Sequence, residues 1–311
     1  MFRKTASLAS AGALALTLGA AAVAPARAAQ SAGTTESATS ATCALRLGSV
    51  TSTGAHTSRM INATAPITIG GVRGTAGVFP AGAVQHTSTF FGTPLGSEES
   101  RSGLVVTGGT LFSRSYVVDG QVQVDPKYPN NTLRVGGGWA GYRWIEQSIK
   151  PASAGSPART LLYGQETNGL LRRWESNGSG WRSTGGVGGF SQVKSMTLIS
   201  RGAGYETFLA NTRTGMLETI TWPTGYLAVP KHALVRGDTW QGFEQLIATS
   251  CGANGTLLLG IDRDTKSGYL YAVGHAANAK TVIRSLGKVP MTFSDPQYFR
   301  WAPKNDTLNG A

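Results

Sequence analysis

Residues 238–246 read DTWQGFEQL and place two aromatic side chains three positions apart around a glycine. Similar stretches recur along the chain: GWAGYRWIEQ contains Tyr142, GVGGFSQVKS contains Phe190 and VPMTFSDPQ contains Phe293. When Phe243 is aligned with these three residues, successive copies lie 48, 53 and 50 positions apart. A fixed period of this length is typical of proteins built from repeated structural units.

A second repeated signal lies between these stretches and consists of a short apolar run, a polar turn, and a glycine followed by another apolar run. It occurs as TLFSRSYVVDGQVQV, TLLYGQETNGLLRRW, TFLANTRTGMLETI and TLLLGIDRDTKSGYLYAV, with its glycine at Gly120, Gly169, Gly215 and Gly268. These glycines lie 49, 46 and 53 positions apart. Short apolar runs bounded by Gly, Asn, Asp and Pro are typical of antiparallel strands joined by turns.

Two independent features with one period predict an all-β fold, a five-bladed β-propeller of four-stranded antiparallel blades. Units of about 48 residues would extend from Asn62 to Trp301, with a degenerate first unit around residues 77–79. The ring would close through the first or last strand, which completes the blade at the opposite end. A β-sandwich or jelly roll is the alternative, which explains many strands but not the constant period.

The repeats resemble those of the tachylectin-type five-bladed propellers, a family of secreted sugar-binding proteins. GYLYAV at 268–273 and WQGF at 240–243 closely match the two elements of that family's blade. GLLRRW, GMLETI, WAGY and VGGF are looser matches, and the resemblance covers residues 105–300. It implies a pocket for an N-acetylated sugar between neighbouring blades. Val187 replaces an aromatic residue and Pro290 interrupts the last copy, so these repeats depart from the nearly identical repeats of that family.

The start of the chain is typical of an export signal. A basic beginning is followed by small or apolar residues at 6–24 and by the small-x-small pattern ARA at 26–28. We therefore predict a signal peptide over 1–28, a flexible Ser/Thr-rich linker over 29–42 and the propeller domain over 43–311. The mature protein is predicted to be secreted, extracellular and without a membrane span. An uncleaved membrane anchor is the alternative for the first segment.

The charge balance favours anionic partners. The chain carries 28 Lys and Arg against 16 Asp and Glu, and loss of the predicted signal peptide leaves 25 against 16, a net charge of +9. Such a charge favours contact with acidic polysaccharides and cell-wall polymers. Arg172 and Arg173 form the only adjacent basic pair of the mature chain, and no basic stripe is present, so a nucleic-acid partner is not predicted.

Two cysteines, Cys43 and Cys251, lie in the part that is predicted to be exported. Two is the number needed for one disulfide in an oxidising compartment, and this disulfide would tie the start of the domain to a distant segment. Two unpaired buried thiols are the alternative.

The sequence lacks the signals of known catalytic or metal sites. It contains no GxSxG, HExxH or GxxxxGK[ST] motif. The histidines show no metal-ligand spacing; they are His56, His86, His232 and His275. The DRD sequence at 262–264 precedes a glycine but fits a polar hairpin turn better than a calcium loop. We predict a protein that is not an enzyme and binds neither a metal nor a cofactor.

Aromatic residues near polar turns are the better candidates for function, because sugars present flat C–H patches beside hydroxyl groups. The predicted ligand-binding residues are Trp139, Asn168, Trp181, Asn211, Asp238, Trp240 and Tyr269. The alternative for these aromatic residues is packing of one blade on the next, which is also expected to recur once per blade.

The sequence therefore predicts a monomeric, lectin-like protein with shallow glycan pockets between its blades. The expected ligands are N-acetylated sugars or anionic cell-surface polysaccharides. Two alternatives stay open: an extracellular protein-protein interaction propeller, and a propeller enzyme on polysaccharides that carries its carboxylates in the central channel.

Overall fold

The computed structural model describes residues 43–153 and 156–311, and every helix or strand in these ranges is a β-strand. The predicted signal peptide (1–28) and linker (29–42) lie outside the described residues. In chain order the strands are β1 (Ala44–Val50), β2 (His56–Asn62), β3 (Thr68–Ile69), β4 (Arg73–Thr75), β5 (Val84–Thr87), β6 (Phe90–Leu95), β7 (Glu98–Thr107), β8 (Thr110–Val118), β9 (Asn131–Gly137), β10 (Tyr142–Lys150), β11 (Arg159–Glu166), β12 (Leu171–Ser176), β13 (Trp181–Val187), β14 (Val193–Arg201), β15 (Tyr205–Thr212), β16 (Leu217–Pro223), β17 (Lys231–Arg236), β18 (Gln245–Cys251), β19 (Gly255–Asp262), β20 (Ser267–Val273), β21 (Ile283–Lys288) and β22 (Gln297–Pro303).

Three sheets share one plan. Strands β10 to β13, β14 to β17 and β18 to β21 each form a four-stranded antiparallel sheet in which neighbours along the chain are neighbours in the sheet. The prediction of an all-β fold with four-stranded antiparallel sheets is confirmed. Short hairpin turns make this order possible, because antiparallel neighbours can be joined by a few residues.

The remaining strands form a ten-stranded sheet with two halves. One half contains β22, β1 and β2, with β3 and β4 paired to successive parts of β2. The other half contains β7, β8 and β9, with β5 and β6 paired to successive parts of β7. The halves meet where β22 runs parallel to β6, with Trp301 opposite Phe90. The last strand therefore completes a sheet that the first strands begin.

The sheets contact one another in a cyclic order. Strand β10 contacts β14, β14 contacts β18, and β18 contacts β1 and β22. Strand β22 in turn contacts β5 and β6, and β5 contacts β10 again. The chain of contacts thus returns to the sheet from which it started.

One backbone hydrogen bond recurs in all three four-stranded sheets and in both halves of the large sheet. A buried aromatic residue that follows the last strand donates its N–H to the carbonyl of a positive-φ residue in the turn between the second and third strands. The pairs are Phe79 to Gly54 at 3.1 Å, Trp139 to Gly109 at 2.9 Å, and Phe190 to Gly169, Trp240 to Gly215 and Phe293 to Lys266 at 3.0 Å. Positive φ is the reason that four of the five turn residues are glycine.

This hydrogen bond corrects the sequence alignment by three positions in two repeats. Phe190 occupies the place of Trp240, and Val193 the place of Phe243, since the N–H of Val193 donates to Phe190 and that of Phe243 to Trp240. Aligning Phe190 with Phe243 was therefore wrong. Aligning Phe293 with Phe243 was also wrong, because the bond from Phe293 to Lys266 is the counterpart of the bond from Trp240 to Gly215. In the first and last copies the predicted glycines, Gly120 and Gly268, lie outside this turn, which Gly109 and Lys266 occupy instead.

The predicted disulfide between Cys43 and Cys251 is confirmed, and the alternative of two free thiols is wrong. The bond joins the residue before β1 to the last residue of β18, with the Cα atoms 5.3 Å apart. It therefore links the completed half-sheet to the neighbouring four-stranded sheet.

Candidate functional site

A groove with a volume of about 540 Å³ lies where the two halves of the large sheet meet. Strands β1 and β2 form one wall, and β6, β7 and the end of β8 form the other. Its charged lining residues are Arg46, Arg59, Arg73, Arg101, Glu98, Glu99 and Asp119. The groove is thus lined by four arginines and three carboxylates, in a chain of which only 14% of the residues are charged.

A network of three charged side chains forms the floor of the groove. Arg46 donates to both carboxylate oxygens of Glu99, at 2.5 and 3.0 Å, and Arg101 donates to Oε2 of Glu99 at 2.9 Å. Both guanidinium groups lie over the ring of Trp301, 4.5 and 4.6 Å from its centroid. Because hydrogen bonds and ring contacts fix each member, the floor is preorganised before any ligand binds.

The arginines hold Glu99 in its charged form. Burial alone would raise the pKa of Glu99, but the hydrogen bond from Arg46 and the charge of Arg101 lower its pKa below the ordinary value. Beneath the floor lies His56, which is fully buried, and its Nδ1 is 2.5 Å from the hydroxyl of Tyr116. Burial first, and then the charges of the nearby arginines, place the pKa of His56 well below its ordinary value. His56 is therefore neutral at pH 7 and adds no charge to the groove.

Two other arginines of the groove have unused hydrogen-bond donors. Arg73 is exposed, and its guanidinium makes no hydrogen bond or ion pair with any residue that the structure describes. The guanidinium of Arg59 has one weak contact, from Nη1 to the sulfur of Met291 at 3.8 Å. On the opposite wall, Oδ1 of Asp119 accepts the backbone N–H groups of two following residues, whereas Glu98 has no hydrogen-bonding partner in the described ranges.

A second cavity of about 240 Å³ lies on the other side of the β1–β2 pair. The hydroxyl of Ser49 donates to Oδ2 of Asp295 at 2.5 Å and is 2.6 Å from the hydroxyl of Thr57. The hydroxyl of Tyr298 accepts the backbone N–H of Asp295 at 2.9 Å. Arg59 lines both cavities, and its Nη1 lies 3.8 Å from the sulfur of Met291 in the second one.

The ligand-binding residues that were predicted from the repeats do not line either cavity. Trp139 and Trp240 are buried, with 7% and 6% of their surface exposed. Trp139 packs on the ring of Tyr142 at 4.4 Å between centroids, and Trp240 packs on Tyr271 at 5.0 Å. Their side chains contribute to the contact between neighbouring sheets, which is the packing role that the sequence left open.

Asn211 has a structural role, because its side chain is fully buried. Its Nδ2 donates to the carbonyls of Trp240 and Phe243, at 2.7 and 2.8 Å. Gln165 makes the same pair of bonds one sheet earlier, to the carbonyls of Phe190 and Val193. The amide thus fixes the turn that leads to the next sheet, and no ligand can reach it in this arrangement.

The four other predicted residues are at least partly accessible. Asn168 and Asp238 lie in exposed turns, and Oδ1 of Asn168 caps its own turn by accepting the N–H of Leu170 at 2.9 Å. Trp181 and Tyr269 are half-buried and pack on the clusters that contain Trp139 and Trp240, respectively. The structure brings the seven residues into two neighbourhoods, and their part in ligand binding stays a prediction.

The groove residues were missed because Arg46, Glu99 and Arg101 precede the region of the clear repeats. One signal could have found part of the groove. The stretch SEESR at 97–101 concentrates three charges within five residues of a chain that is poor in charge.

Two buried glutamates lie on β10 and β15. Glu206 is fully buried and accepts from Arg159 at 2.8 Å and from Ser148 at 2.7 Å. Burial raises the pKa of Glu206, and burial likewise raises the pKa of Glu146, whose Oε1 accepts the backbone N–H of Thr89 at 3.0 Å. Neither glutamate lines either of the two cavities.

Two absences concern only the described part of the chain. Within it, no group of three or more His, Cys, Asp or Glu side chains is placed to hold a metal ion. The same ranges contain no helix with the length and apolar character that a membrane crossing needs.

No protein-family model matches the chain. No curated protein matches it either. Among solved structures, the chain is similar to a six-bladed fungal lectin from Aleuria aurantia that recognises fucose (12% identity, 78% of this chain, 77% of that chain, TM-score 0.44). It is also similar to AofleA from Arthrobotrys oligospora (13% identity, 83% of this chain, 90% of that chain, TM-score 0.41). A third similar structure is the catalytic domain of a GH62 α-L-arabinofuranosidase from Coprinopsis cinerea (12% identity, 70% of this chain, 73% of that chain, TM-score 0.43). Because each TM-score is below 0.5, none of these similarities decides the fold or function of this chain.

Proposed function

We propose that this chain is a secreted, non-catalytic five-bladed β-propeller that binds carbohydrate. The ring is supported by the cyclic contacts between the sheets. It is also supported by the backbone hydrogen bond that recurs five times along the chain, first at Phe79 and last at Phe293. Each half of the large sheet then counts as one blade, and β22 closes the ring. The disulfide supports the proposed extracellular location, because such bonds persist in oxidising compartments.

The observation that carries the proposed function is the groove above Trp301. Its volume of about 540 Å³ lies in the range of small-molecule sites and is large enough for one or two sugar rings. Sugar hydroxyl groups both donate and accept hydrogen bonds. Arginines can donate to them and carboxylates can accept from them, so a groove that contains both suits a sugar. Met60 and Pro94 add apolar surface at the rim, which suits the C–H faces of a sugar.

The absence of catalysis is part of the proposal and is supported by the state of the acids. Glu99 is ion-paired with two arginines, and Glu206 is ion-paired and buried. A general acid or base must reach the proton that it transfers. Glu98 is the one groove carboxylate without a bonded partner among the described residues, and glycoside hydrolysis normally uses two facing carboxylates.

A protein-binding function is the second candidate, and one loop favours it. The connection between β16 and β17 exposes Tyr226, Leu227 and Val229, with 70%, 65% and 64% of their surface accessible. The buried guanidinium of Arg173 donates to two carbonyls of this loop and fixes its shape. A rigid loop with three exposed apolar side chains suits a protein partner.

A glycan array followed by calorimetry tests the proposed function. Gly71→Trp should fill the groove without strain, because nothing lies within 4 Å of a Cβ at Gly71 and its φ is not positive. Gly204→Trp is the matched control, since Gly204 has the same free space and lies outside the groove. We expect glycan binding by the wild type and the control and its loss in Gly71→Trp.

Other outcomes of the array would redirect the assignment. Loss of binding in Trp181→Ala, with Gly71→Trp unaffected, would move the site to the repeated aromatic residues. No glycan binding by the wild type, together with one stoichiometric protein partner that is lost in Tyr226→Ser, would replace the proposed function by the second candidate.

A further inference from the structure

The second cavity has one basic and one acidic side chain on its walls. Arg59 points into it, because Arg59 lies opposite Leu47, which also lines it, and alternate residues of a strand face opposite sides of a sheet. Asp295 contributes a carboxylate from the segment before β22. With a volume of about 240 Å³, the cavity is smaller than most pockets for drug-sized molecules and therefore suits one small molecule.

We infer that this cavity binds an aliphatic α-amino acid as its zwitterion. Arg59 binds the carboxylate of the ligand, and Asp295 binds its ammonium group. The site is separate from the groove of the proposed function, and the inference does not depend on carbohydrate binding.

Arg59 has donors available for a carboxylate. Among the described residues it forms no ion pair, and its only hydrogen-bond contact joins Nη1 to the sulfur of Met291 at 3.8 Å. A guanidinium presents its donors in a planar fork that matches the two oxygens of a carboxylate. Since the side chain is half-buried, its charge is screened less by salt than that of a fully exposed arginine.

Asp295 has acceptor positions available for an ammonium group. Its Oδ2 accepts the hydroxyl of Ser49 at 2.5 Å, and that hydroxyl is 2.6 Å from the hydroxyl of Thr57. No other donor in the described ranges reaches the carboxylate, which offers about four acceptor positions. Thr57 and Arg59 are alternate residues of β2 and lie about 7 Å apart on one face. The carboxylate and the guanidinium therefore face one cavity at a separation that a small molecule can bridge.

Apolar side chains complete the wall and suit an aliphatic ligand. Leu47, Val72 and Met291 line the cavity beside the two charged groups. Thr292 and Ser294 are exposed, so the cavity is open to solvent on their side. Removing an aliphatic group from water is favourable. One cation, one anion and an apolar wall together complement an aliphatic amino acid better than a neutral sugar, which carries no charged group.

Calorimetric titration of the whole protein with L-leucine tests the inference. Three related probes each lack one recognised group: leucinamide lacks the carboxylate, 4-methylpentanoate lacks the ammonium, and glycine lacks the apolar side chain. Because each charge-assisted hydrogen bond is lost with its group, leucinamide and 4-methylpentanoate should bind at least about tenfold more weakly than leucine. Glycine should bind at least about tenfold more weakly as well, since it buries no aliphatic side chain.

Two variants locate the charged groups of the ligand. Arg59→Gln and Asp295→Asn should each reduce the affinity for leucine by at least about tenfold. Arg59→Gln should not weaken the binding of leucinamide, and Asp295→Asn should not weaken that of 4-methylpentanoate, because each probe already lacks the group concerned. Both variants should fold, since Asn keeps an oxygen that accepts from Ser49 and Arg59 has no ion pair to lose among the described residues.

Arg73→Gln is the matched control for Arg59→Gln. The guanidinium of Arg73 also has no partner in the described ranges, but Arg73 lies opposite Ser58 and lines the groove on the other face of the sheet. Its affinity for leucine should equal that of the wild type.

Each opposite result refutes the inference in a distinct way. A wild type that does not bind leucine would refute it and leave the proposed function intact, because glycan binding is measured separately. Equal affinity for leucine and leucinamide, or for leucine and 4-methylpentanoate, would show that the zwitterion is not recognised. Leucine binding that persists in both Arg59→Gln and Asp295→Asn would place the amino acid elsewhere, and an equal loss in Arg73→Gln would reduce the effect to general charge attraction.

Discussion

Replacing Glu99 with Gln should destabilise the fold at pH 7 because it removes the charge that balances two arginines. Arg101 has only 2% of its side chain exposed and Arg46 has 28%, while Glu99 itself has 23%. Breaking a buried ion pair costs about 3 to 5 kcal/mol, whereas an exposed pair is worth about 1 kcal/mol or less. With one partner buried and the other partly exposed, we expect a loss of about 2 to 3 kcal/mol in the free energy of unfolding.

The loss should depend on pH in a defined direction. The pKa of Glu99 is lower in the folded state than in the unfolded chain, so its carboxylate stabilises the fold above the unfolded pKa. That contribution disappears as pH falls through the folded pKa. The difference between wild type and Glu99→Gln should therefore be largest near neutral pH and shrink in acid.

Glu146→Gln is the matched comparison, because its effect on the free energy of unfolding should change with pH in the opposite direction. Burial raises the pKa of Glu146 in the folded state, so its contribution is favourable below the unfolded pKa and is lost as pH rises through the folded pKa. Gln keeps an oxygen to accept the backbone N–H groups of Thr89 and Gln147 and carries no charge. We expect this variant to be as stable as the wild type at pH 7 or more so, and to lose that relative gain in acid.

Urea unfolding followed by tryptophan fluorescence, at pH 7 and at about pH 4.5, measures both effects. The midpoint and slope give the free energy of unfolding for each variant at each pH. A Glu99→Gln variant that is as stable as the wild type at pH 7 would show that the groove floor is not an ion-pair network. A Glu146→Gln variant whose deficit grows with pH would contradict the burial argument for that residue.

Three other changes test the fold. Asn211→Ala should lower the free energy of unfolding by about 1 to 3 kcal/mol for each backbone carbonyl that it leaves without a donor, which a lower midpoint of unfolding would show. Loss of glycan binding without loss of stability would instead support the predicted ligand role of Asn211. Gly260→Ala places a Cβ 2.8 Å from the ring of Phe243 and should destabilise by about 1 to 3 kcal/mol, while Gly242→Ala, which has open space, should be neutral and serves as its control. Cys43→Ser should reduce stability by about 2 to 5 kcal/mol, and an unchanged midpoint would show that the disulfide adds nothing to the native fold.

The all-β fold and the disulfide could be predicted because both depend on composition and on short local sequence patterns. Short apolar runs between turn residues leave few options besides strands and hairpins. The pairing of Cys43 with Cys251 followed from having two cysteines in a chain with a predicted export signal. Neither prediction needed the register of any strand.

The register of the repeat could not be predicted from side chains alone. The bond that recurs is made by backbone atoms, so the position is defined by its N–H group and tolerates Trp at 139 and 240 and Phe at 190. The position three residues later tolerates an equally wide range, from Tyr142 to Val193. Matching aromatic with aromatic therefore shifted two repeats, those of Phe190 and Phe293, by three positions.

The same reasoning explains why the repeats did not reveal the candidate site. In a fold whose sheets bury both faces, a large side chain that recurs at one position is used for packing, as the burial of Trp139 and Trp240 shows. The groove lies instead where the repeated plan changes, at the junction of β22 and β6, whose parallel pairing joins the two halves of the large sheet. Arg46, Glu99 and Arg101 line this groove. The proposed ligand site therefore lies at the departure from the repeat rather than in the repeat itself.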